Sequence, residues 1–148
     1  MPTDFVNILL ADDNEADCNV FKIAFEELKI KTIVHIVNDG VQLMNHLNSS
    51  DIILPDIIFL DLNMPHKNGW ECLKEIRNSN KLKDISVAIY SGSTSEKDIE
   101  ESFVRGANIF INKPANYITL LKILSEVISI NLQYKNTGLN KTTFLLNI

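Results

Sequence analysis

The sequence predicts an α/β protein built on one doubly wound parallel sheet. Short apolar runs typical of buried strands alternate five times with amphipathic helical patterns along the 148 residues. Turn residues, such as the run Asn38-Asp39-Gly40, separate the two kinds of segment. The apolar content of 45% is enough for one buried core, so we expect a single domain.

The five predicted strands are short apolar runs that end at polar or turn residues. Their alternation with helices implies that they are parallel and joined by right-handed crossovers. Five strands fit the flavodoxin-like order 2-1-3-4-5 best, in which strands 1 and 3 are neighbours where the chain reverses direction. Ligands bind outside the carboxyl ends of the strands at that point. The predicted strands cover residues 5–11, 32–37, 56–60, 86–91 and 107–112.

A helix is predicted after each strand, because apolar residues recur there at helical spacing. The fourth helix has the clearest boundaries. Ser95 is a typical N-cap followed by acidic residues, and Gly106 is a typical stop. The predicted helices cover residues 13–28, 41–48, 69–78, 95–106 and 116–132.

The composition argues against several classes of protein. The formal net charge of −5 argues against general affinity for nucleic acid or anionic membranes. The N-terminus lacks the basic start and long apolar region of a signal peptide, and the apolar run ITLLKILSEVISI is interrupted by Lys122 and Glu126. Cys18 and Cys72 lie far apart without metal-ligand spacing, so free thiols are expected. We therefore expect a cytoplasmic protein that binds neither nucleic acid nor membrane.

Polar residues follow four of the predicted strands at one edge of the sheet. Asp12 and Asp13 follow strand 1, Asp61 follows strand 3, Ser91 ends strand 4 and Lys113 follows strand 5. Because strands 1 and 3 are neighbours, the three carboxylates should converge. Carboxylates about 5 Å apart repel each other by about 3 kcal/mol per pair at an effective dielectric constant near 20. A hard divalent cation with oxygen ligands, Mg²⁺ with Mn²⁺ as an alternative, would neutralise this charge.

A bound cation together with Lys113 would make this edge a site that accepts a phosphoryl group. Asp61 can then act as a carboxylate nucleophile, and Ser91 can donate a hydrogen bond to a phosphoryl oxygen. Each residue alone has a simpler interpretation. Asp12 and Asp13 could cap a helix, Asp61 could cap a turn and Lys113 could be a surface lysine. Their convergence at one edge favours the functional interpretation.

Four segments together resemble the receiver domain of two-component response regulators. ILLADDN, IIFLDLNMPHKNGWE, VAIYSGS and ANIFINKP occur in this order, each at a predicted strand end, and the resemblance covers about residues 5–132. The spacing between Asp61, Ser91 and Lys113 also matches the family pattern. The tail, residues 133–148, leaves no room for an output domain, so the stand-alone, single-domain type is expected.

The resemblance implies a role for each matching acidic residue. Asp61 is the phosphoacceptor. Asp13 and Asp61 bind Mg²⁺ directly together with the backbone carbonyl of Asn63, while Asp12 acts mainly through water. The phosphatases of the haloacid dehalogenase class also use an aspartate at a strand end, but they need a second acid where Asn63 stands.

The resemblance also implies a switch. Lys113 contacts the phosphoryl group, aimed by a cis peptide bond to Pro114. Ser91 moves toward the phosphoryl group, and Phe110 swings inward as it does so. Gly92 is small and leaves the acceptor accessible. The surface formed by helix 4, strand 5 and helix 5 then reports phosphorylation to a downstream target that the sequence does not identify.

The implied function is a phosphoacceptor signalling protein and not an enzyme. A sensor histidine kinase or a histidine phosphotransfer protein would supply the phosphoryl group. A docking module that works without phosphorylation remains an alternative, whereas a flavodoxin-like cofactor binder would need a loop rich in Ser and Thr where ADDNEAD stands.

The C-terminal tail, residues 133–148, has two interpretations. It is either a disordered end, or its apolar tip at Phe144, Leu145 and Leu146 packs on the domain or on a second copy in a homodimer.

Overall fold

The computed structural model describes residues 5–92, 95–137 and 145–146. In this part of the chain six parallel strands form one sheet in the order β2-β1-β3-β4-β5-β6. The strands are β1 (Val6–Ala11), β2 (Thr32–Val37), β3 (Ile57–Leu60), β4 (Ser86–Ser91), β5 (Ile109–Asn112) and β6 (Leu145–Leu146). The helices are α1 (Glu15–Leu28), α2 (Gly40–Leu47), α3 (Gly69–Asn78), α4 (Glu96–Val104) and α5 (Tyr117–Thr137).

The sheet separates two apolar layers. On one face α2, α3 and α4 cover a cluster that includes Leu43, Leu73 and Phe110. On the other face α1 and α5 cover a cluster in which the rings of Phe21 and Phe59 pack edge to face, with centroids 4.9 Å apart. Helices on both faces and the order 2-1-3-4-5 of the first five strands confirm the predicted fold class. Cys18 and Cys72 are buried free thiols, as predicted.

Side-chain caps explain why the helices begin where they do. The Asn14 side chain accepts a hydrogen bond from the backbone N–H of Asp17 at 2.9 Å, so α1 begins at Glu15 and not at residue 13. Asn68 and Glu71 form a reciprocal capping box at the start of α3. These short-range hydrogen bonds fix the first turns of helices that start beside the carboxyl edge of the sheet.

The C-terminal region extends beyond the predicted elements. The helix α5 continues to Thr137, since neither Gly nor Pro interrupts it. The backbone of Leu145–Leu146 adds β6 beside β5, with Phe110 opposite Leu145. This pairing agrees with the interpretation that the tail packs on its own domain. Phe144 lies outside the described residues. No helix among the described residues is both long enough and apolar enough to span a bilayer.

Candidate functional site

The pairing of β1 with β3 brings the predicted acidic residues together. Ala11 lies opposite Leu60, and the backbone N–H of Asp61 donates to the carbonyl of Ala11 at 3.0 Å. Asp12 is fully buried, Asp61 is 6% exposed and Asp13 is exposed. One carboxylate oxygen from each of these three residues lies within 4.8 Å of the other two. The structure therefore brings Asp12, Asp13 and Asp61 into one acidic cluster.

Lys113 supplies the positive charge that this cluster faces. Its Nζ lies 2.7 Å from Oδ2 of Asp12, 3.0 Å from Oδ2 of Asp17 and 3.4 Å from Oδ2 of Asp61. The backbone N–H of Asn14 also donates to Oδ1 of Asp12, at 2.9 Å. Among the described residues, no donor other than Lys113 reaches the buried Oδ2 of Asp12. That oxygen therefore has room in its coordination for a further cation.

Burial and charge shift the pKa values of Asp61 and Lys113 in the same direction. Burial raises the pKa of Asp61 from 3.8 to about 6, although the Lys113 ammonium and the backbone N–H of Asn63 favour its charged form. Burial alone would lower the pKa of Lys113. Its hydrogen bonds to Asp12 and Asp17, together with the carboxylate charges, outweigh burial and raise that pKa. At pH 7, Asp61 is therefore an ionised carboxylate and Lys113 is a cation.

The acidic cluster fits a divalent metal ion. It offers carboxylate oxygens only, which hard cations prefer, and its negative charge exceeds the one positive charge of Lys113. Asn63 lies on the loop after β3, is exposed, and donates its backbone N–H to Oδ1 of Asp61 at 3.2 Å. Metal binding through the Asn63 carbonyl stays a prediction.

The predicted switch residues lie on the paired strands β4 and β5. Ser91 is fully buried at the end of β4, and its carbonyl accepts a hydrogen bond from the backbone N–H of Lys113 at 2.8 Å. Phe110 lies opposite Ile89 and its ring is already fully buried. The movement of Ser91 and Phe110 on phosphorylation stays a prediction. Ser93, two residues after Ser91 in the sequence, lies outside the described residues.

The expectation of a cis peptide bond at Pro114 is wrong. No peptide bond in the described ranges is cis, so the bond between Lys113 and Pro114 is trans. Other contacts direct the lysine side chain instead. These are the three carboxylates and the ring of Tyr90, whose centroid lies 5.4 Å from Nζ.

Two residues of the site were not predicted from the sequence. Asp17, in the first turn of α1, contacts Lys113, and Tyr90 lies beside it near the end of β4. Burial raises the pKa of the Tyr90 hydroxyl. The signal for Asp17 was available. It is an acid at the start of a helix that begins at the carboxyl edge of the sheet, where Lys113 also lies.

Two glycines shape the surroundings of Asp61. A Cβ at Gly69 would lie 2.3 Å from the carbonyl oxygen of Asp61 and 2.8 Å from Cα of Leu62, so only glycine lets α3 begin this close to the loop. A Cβ at Gly92 would meet nothing within 4 Å. The accessibility of the acceptor stays a prediction, because Asp61 itself is 6% exposed.

A cleft of about 720 Å³ lies at the opposite end of the sheet from the acidic cluster. Arg77 lines this cleft, but its guanidinium already donates hydrogen bonds to the carbonyls of Lys83, Ile85 and Gly106 and to the side chain of Asn108. These hydrogen bonds tie α3 to the starts of β4 and β5. We therefore assign Arg77 a structural role.

Comparisons with known proteins agree with this geometry. Residues 8–125 match the family model of the response regulator receiver domain. The response regulator Rcp1 of Synechocystis sp. is 34% identical over 127 residues, which cover 81% of this chain and 84% of that protein.

Two crystal structures extend the likeness to three dimensions. The phosphorylated cyanobacterial phytochrome response regulator RcpA is 34% identical, with 86% of this chain and 94% of that chain covered and a TM-score of 0.79. The Mn²⁺-bound form of Rcp1 is 29% identical, with 91% and 99% covered and a TM-score of 0.76. With its fold, its strand-end acids and its lysine in place, the chain belongs to the response regulator receiver domain family of two-component signalling.

Proposed function

We propose that this receiver domain accepts a phosphoryl group on Asp61 in a reaction that depends on Mg²⁺. The donor would be a sensor histidine kinase or a histidine phosphotransfer protein, met in the cytoplasm. One observation carries the proposal. Asp12, Asp13 and Asp61 converge within 4.8 Å, and Nζ of Lys113 lies 3.4 Å from Oδ2 of Asp61.

The proposed transfer is a displacement at phosphorus. A carboxylate oxygen of Asp61 forms the new bond to phosphorus, and the bond from phosphorus to the donor's imidazole nitrogen breaks. The electron pair of that bond stays on the nitrogen, and the histidine leaves as a neutral imidazole because its other ring nitrogen carries a proton. The Lys113 ammonium stabilises the negative phosphoryl oxygens, and the Ser91 hydroxyl donates a hydrogen bond to one of them.

Asp12, Asp13, Asp61 and the carbonyl of Asn63 would hold the metal ion. When bound, the ion supplies positive charge next to the phosphoryl oxygens. Mn²⁺ is the alternative ion, and it has the same preference for oxygen ligands. Two properties of this chain support a divalent cation here: the excess of carboxylates over Lys113, and the buried Oδ2 of Asp12, which only Lys113 reaches among the described residues.

The output surface we propose consists of α4, β5 and α5. Ser91 and Phe110 lie on paired strands, which supports a mechanical link from the site to this surface. The downstream target is a protein that docks there, and a second copy of the chain is one candidate. The acyl phosphate on Asp61 hydrolyses in water, so we expect a signal of limited lifetime and no turnover of phosphate esters.

Intact-mass measurement after incubation with acetyl phosphate and Mg²⁺ tests the proposal. Phosphoramidate provides a second donor, with the phosphorus–nitrogen bond of a phosphohistidine. The wild type would be compared with Asp61→Ala and with Asp84→Ala, which removes an exposed carboxylate away from the site. We expect one phosphoryl adduct in the wild type and in Asp84→Ala. We expect none in Asp61→Ala and none with EDTA.

Two outcomes would count against the proposal in different ways. An adduct that persists in Asp61→Ala would show that another residue is the acceptor. An adduct that persists in EDTA would remove the metal dependence. If neither donor modifies the wild type, the docking module that works without phosphorylation becomes the better explanation.

A further inference from the structure

Lys113 is held by one carboxylate that does not belong to the acidic cluster. Two of its three partners, Asp12 and Asp61, lie in the cluster with Asp13. The third, Asp17, lies outside the cluster and reaches Nζ at 3.0 Å. An ammonium group has three N–H donors, and three carboxylates lie within 3.4 Å of this one.

The backbone of Asp17 is fixed by the start of α1. Its N–H donates to the Asn14 side chain at 2.9 Å, which is the capping contact of the helix. The side chain of Asp17 is 40% exposed, against 17% for Lys113. Asp17 therefore approaches Lys113 from the solvent side, while Asp12 and Asp61 approach it from the sheet.

A metal ion in the acidic cluster would compete with Lys113 for Asp12 and Asp61. Both cations need the same carboxylate oxygens, and they also repel each other. Asp17 is the partner of Lys113 that this competition leaves in place. A cleft lined by Asp17, Tyr90, Lys113 and Tyr117 opens between α1 and the start of α5, so the lysine side chain has space to move away from the site.

We propose that Asp17 is a positioning residue, which keeps Lys113 beside the phosphoryl group once the metal ion has taken Asp12 and Asp61. This inference rests on the proposed function. Without the Asp17 carboxylate, Lys113 would divide between two positions. In one it stays on Asp12 and Asp61 and opposes metal binding, and in the other it turns into the cleft and leaves the phosphoryl oxygens without their ammonium partner.

The variants Asp17→Asn and Asp17→Glu test this role, with Glu15→Gln as the matched control. Glu15 is an exposed acid in the same first turn of α1, so its loss changes the net charge and the helix terminus in a similar way. The first readout is the Kd for Mg²⁺. It would be measured from the fluorescence of Trp70, the one tryptophan of the chain. The second is the rate of adduct formation at saturating Mg²⁺, measured against acetyl phosphate concentration.

We expect Asp17→Asn to raise the Kd for Mg²⁺ about threefold and to lower the maximal rate by at least about threefold, the size expected for a partly exposed ion pair. The KM for acetyl phosphate should change less than the maximal rate. Asp17→Glu should recover part of both losses, and Glu15→Gln should behave like the wild type. A double variant, Asp17→Asn with Lys113→Met, should be no slower than Lys113→Met alone, because Asp17 acts through Lys113.

Equal effects of Asp17→Asn and Glu15→Gln would overturn the inference, because they would show that Asp17 acts only as one of the surface charges. A further loss of rate in the Lys113→Met background would overturn it as well. Failure of the proposed function has a different result, because the wild type and Glu15→Gln would then form no adduct. The Kd for Mg²⁺ would still decide whether Asp17 draws Lys113 away from the metal site.

Discussion

Replacing Asp61 by Asn is expected to stabilise the metal-free protein at neutral pH. Asp61 is 6% exposed, and burial raises its pKa from 3.8 to about 6. An acid with a raised pKa in the folded state favours that state while it is protonated. This contribution is complete below the unfolded-state pKa and is lost as the pH rises through the folded-state pKa. Above that value the folded protein carries the cost of a buried charge, and the Asn variant does not.

The size of the effect follows from the pKa shift. The rise from 3.8 to about 6 corresponds to about 3 kcal/mol, at 1.36 kcal/mol per pKa unit. This shift already includes the attraction of Lys113, whose Nζ lies 3.4 Å from Oδ2 of Asp61. We therefore expect a net gain of about 3 kcal/mol, or roughly 6–12 °C in Tm for a domain of this size.

Thermal and urea unfolding in EDTA would measure this gain between about pH 4 and pH 8, across the two pKa values. The control is Asp84→Asn, which removes an exposed carboxylate and should change Tm little at any pH. The gain in Asp61→Asn should be largest at neutral pH and should shrink as the pH falls toward the unfolded-state pKa. A lower Tm than the wild type at neutral pH would refute the reasoning, and so would a gain that does not depend on pH.

Three further predictions concern the metal ion, Gly69 and Arg77. Mg²⁺ at about one hundred times its Kd should stabilise the wild type by about 2.7 kcal/mol. A Tm shift of equal size in Asp61→Asn would show that the ion binds elsewhere. Gly69→Ala should cost about 1–3 kcal/mol in urea unfolding and slow adduct formation, because the new Cβ would lie 2.3 Å from the Asp61 carbonyl oxygen. Gly92→Ala is its control, since a Cβ there meets nothing within 4 Å, and equal effects of the two would exclude the steric cause. Arg77→Met should lower the free energy of unfolding by about 3 kcal/mol, because it leaves the partly buried carbonyls of Ile85 and Gly106 without the donor they have now. Arg105→Met should cost less than about 1 kcal/mol, because that side chain makes exposed contacts, and a larger loss there would contradict this ranking.

The fold and the acidic cluster could be predicted because both depend on chain order and strand ends. Apolar runs gave the position of each strand, and parallel strands place their carboxyl ends at one edge. Asp12 and Asp61 therefore had to be neighbours once β1 and β3 were neighbours. The predicted bounds of β2, α3 and β4 coincide with the observed ones.

Side-chain direction and very short elements could not be predicted in this way. The contact between Asp17 and Lys113 depends on how α1 packs on the sheet, which the periodicity of α1 does not specify. The strand β6 has two residues, too few for any periodic pattern. The trans bond at Pro114 has a similar explanation, since the isomer of such a bond depends on tertiary contacts.

The charges at the site connect its stability with its proposed function. Asp12 and Asp61 cannot move apart, because their backbone N–H groups are bound to Val37 and Ala11 at 3.1 and 3.0 Å. At neutral pH, where Asp61 is ionised, added positive charge is needed to relieve their repulsion. The site holds the four carboxylates of Asp12, Asp13, Asp17 and Asp61 and the one ammonium of Lys113, so the local charge is 1 − 4 = −3 before a metal binds and −1 with a divalent ion. An incoming phosphoryl group is itself an anion, and the metal-free site would repel it far more strongly than the site with a bound divalent ion. We therefore expect the bound ion to be a condition for accepting the phosphoryl group as well as a source of stability.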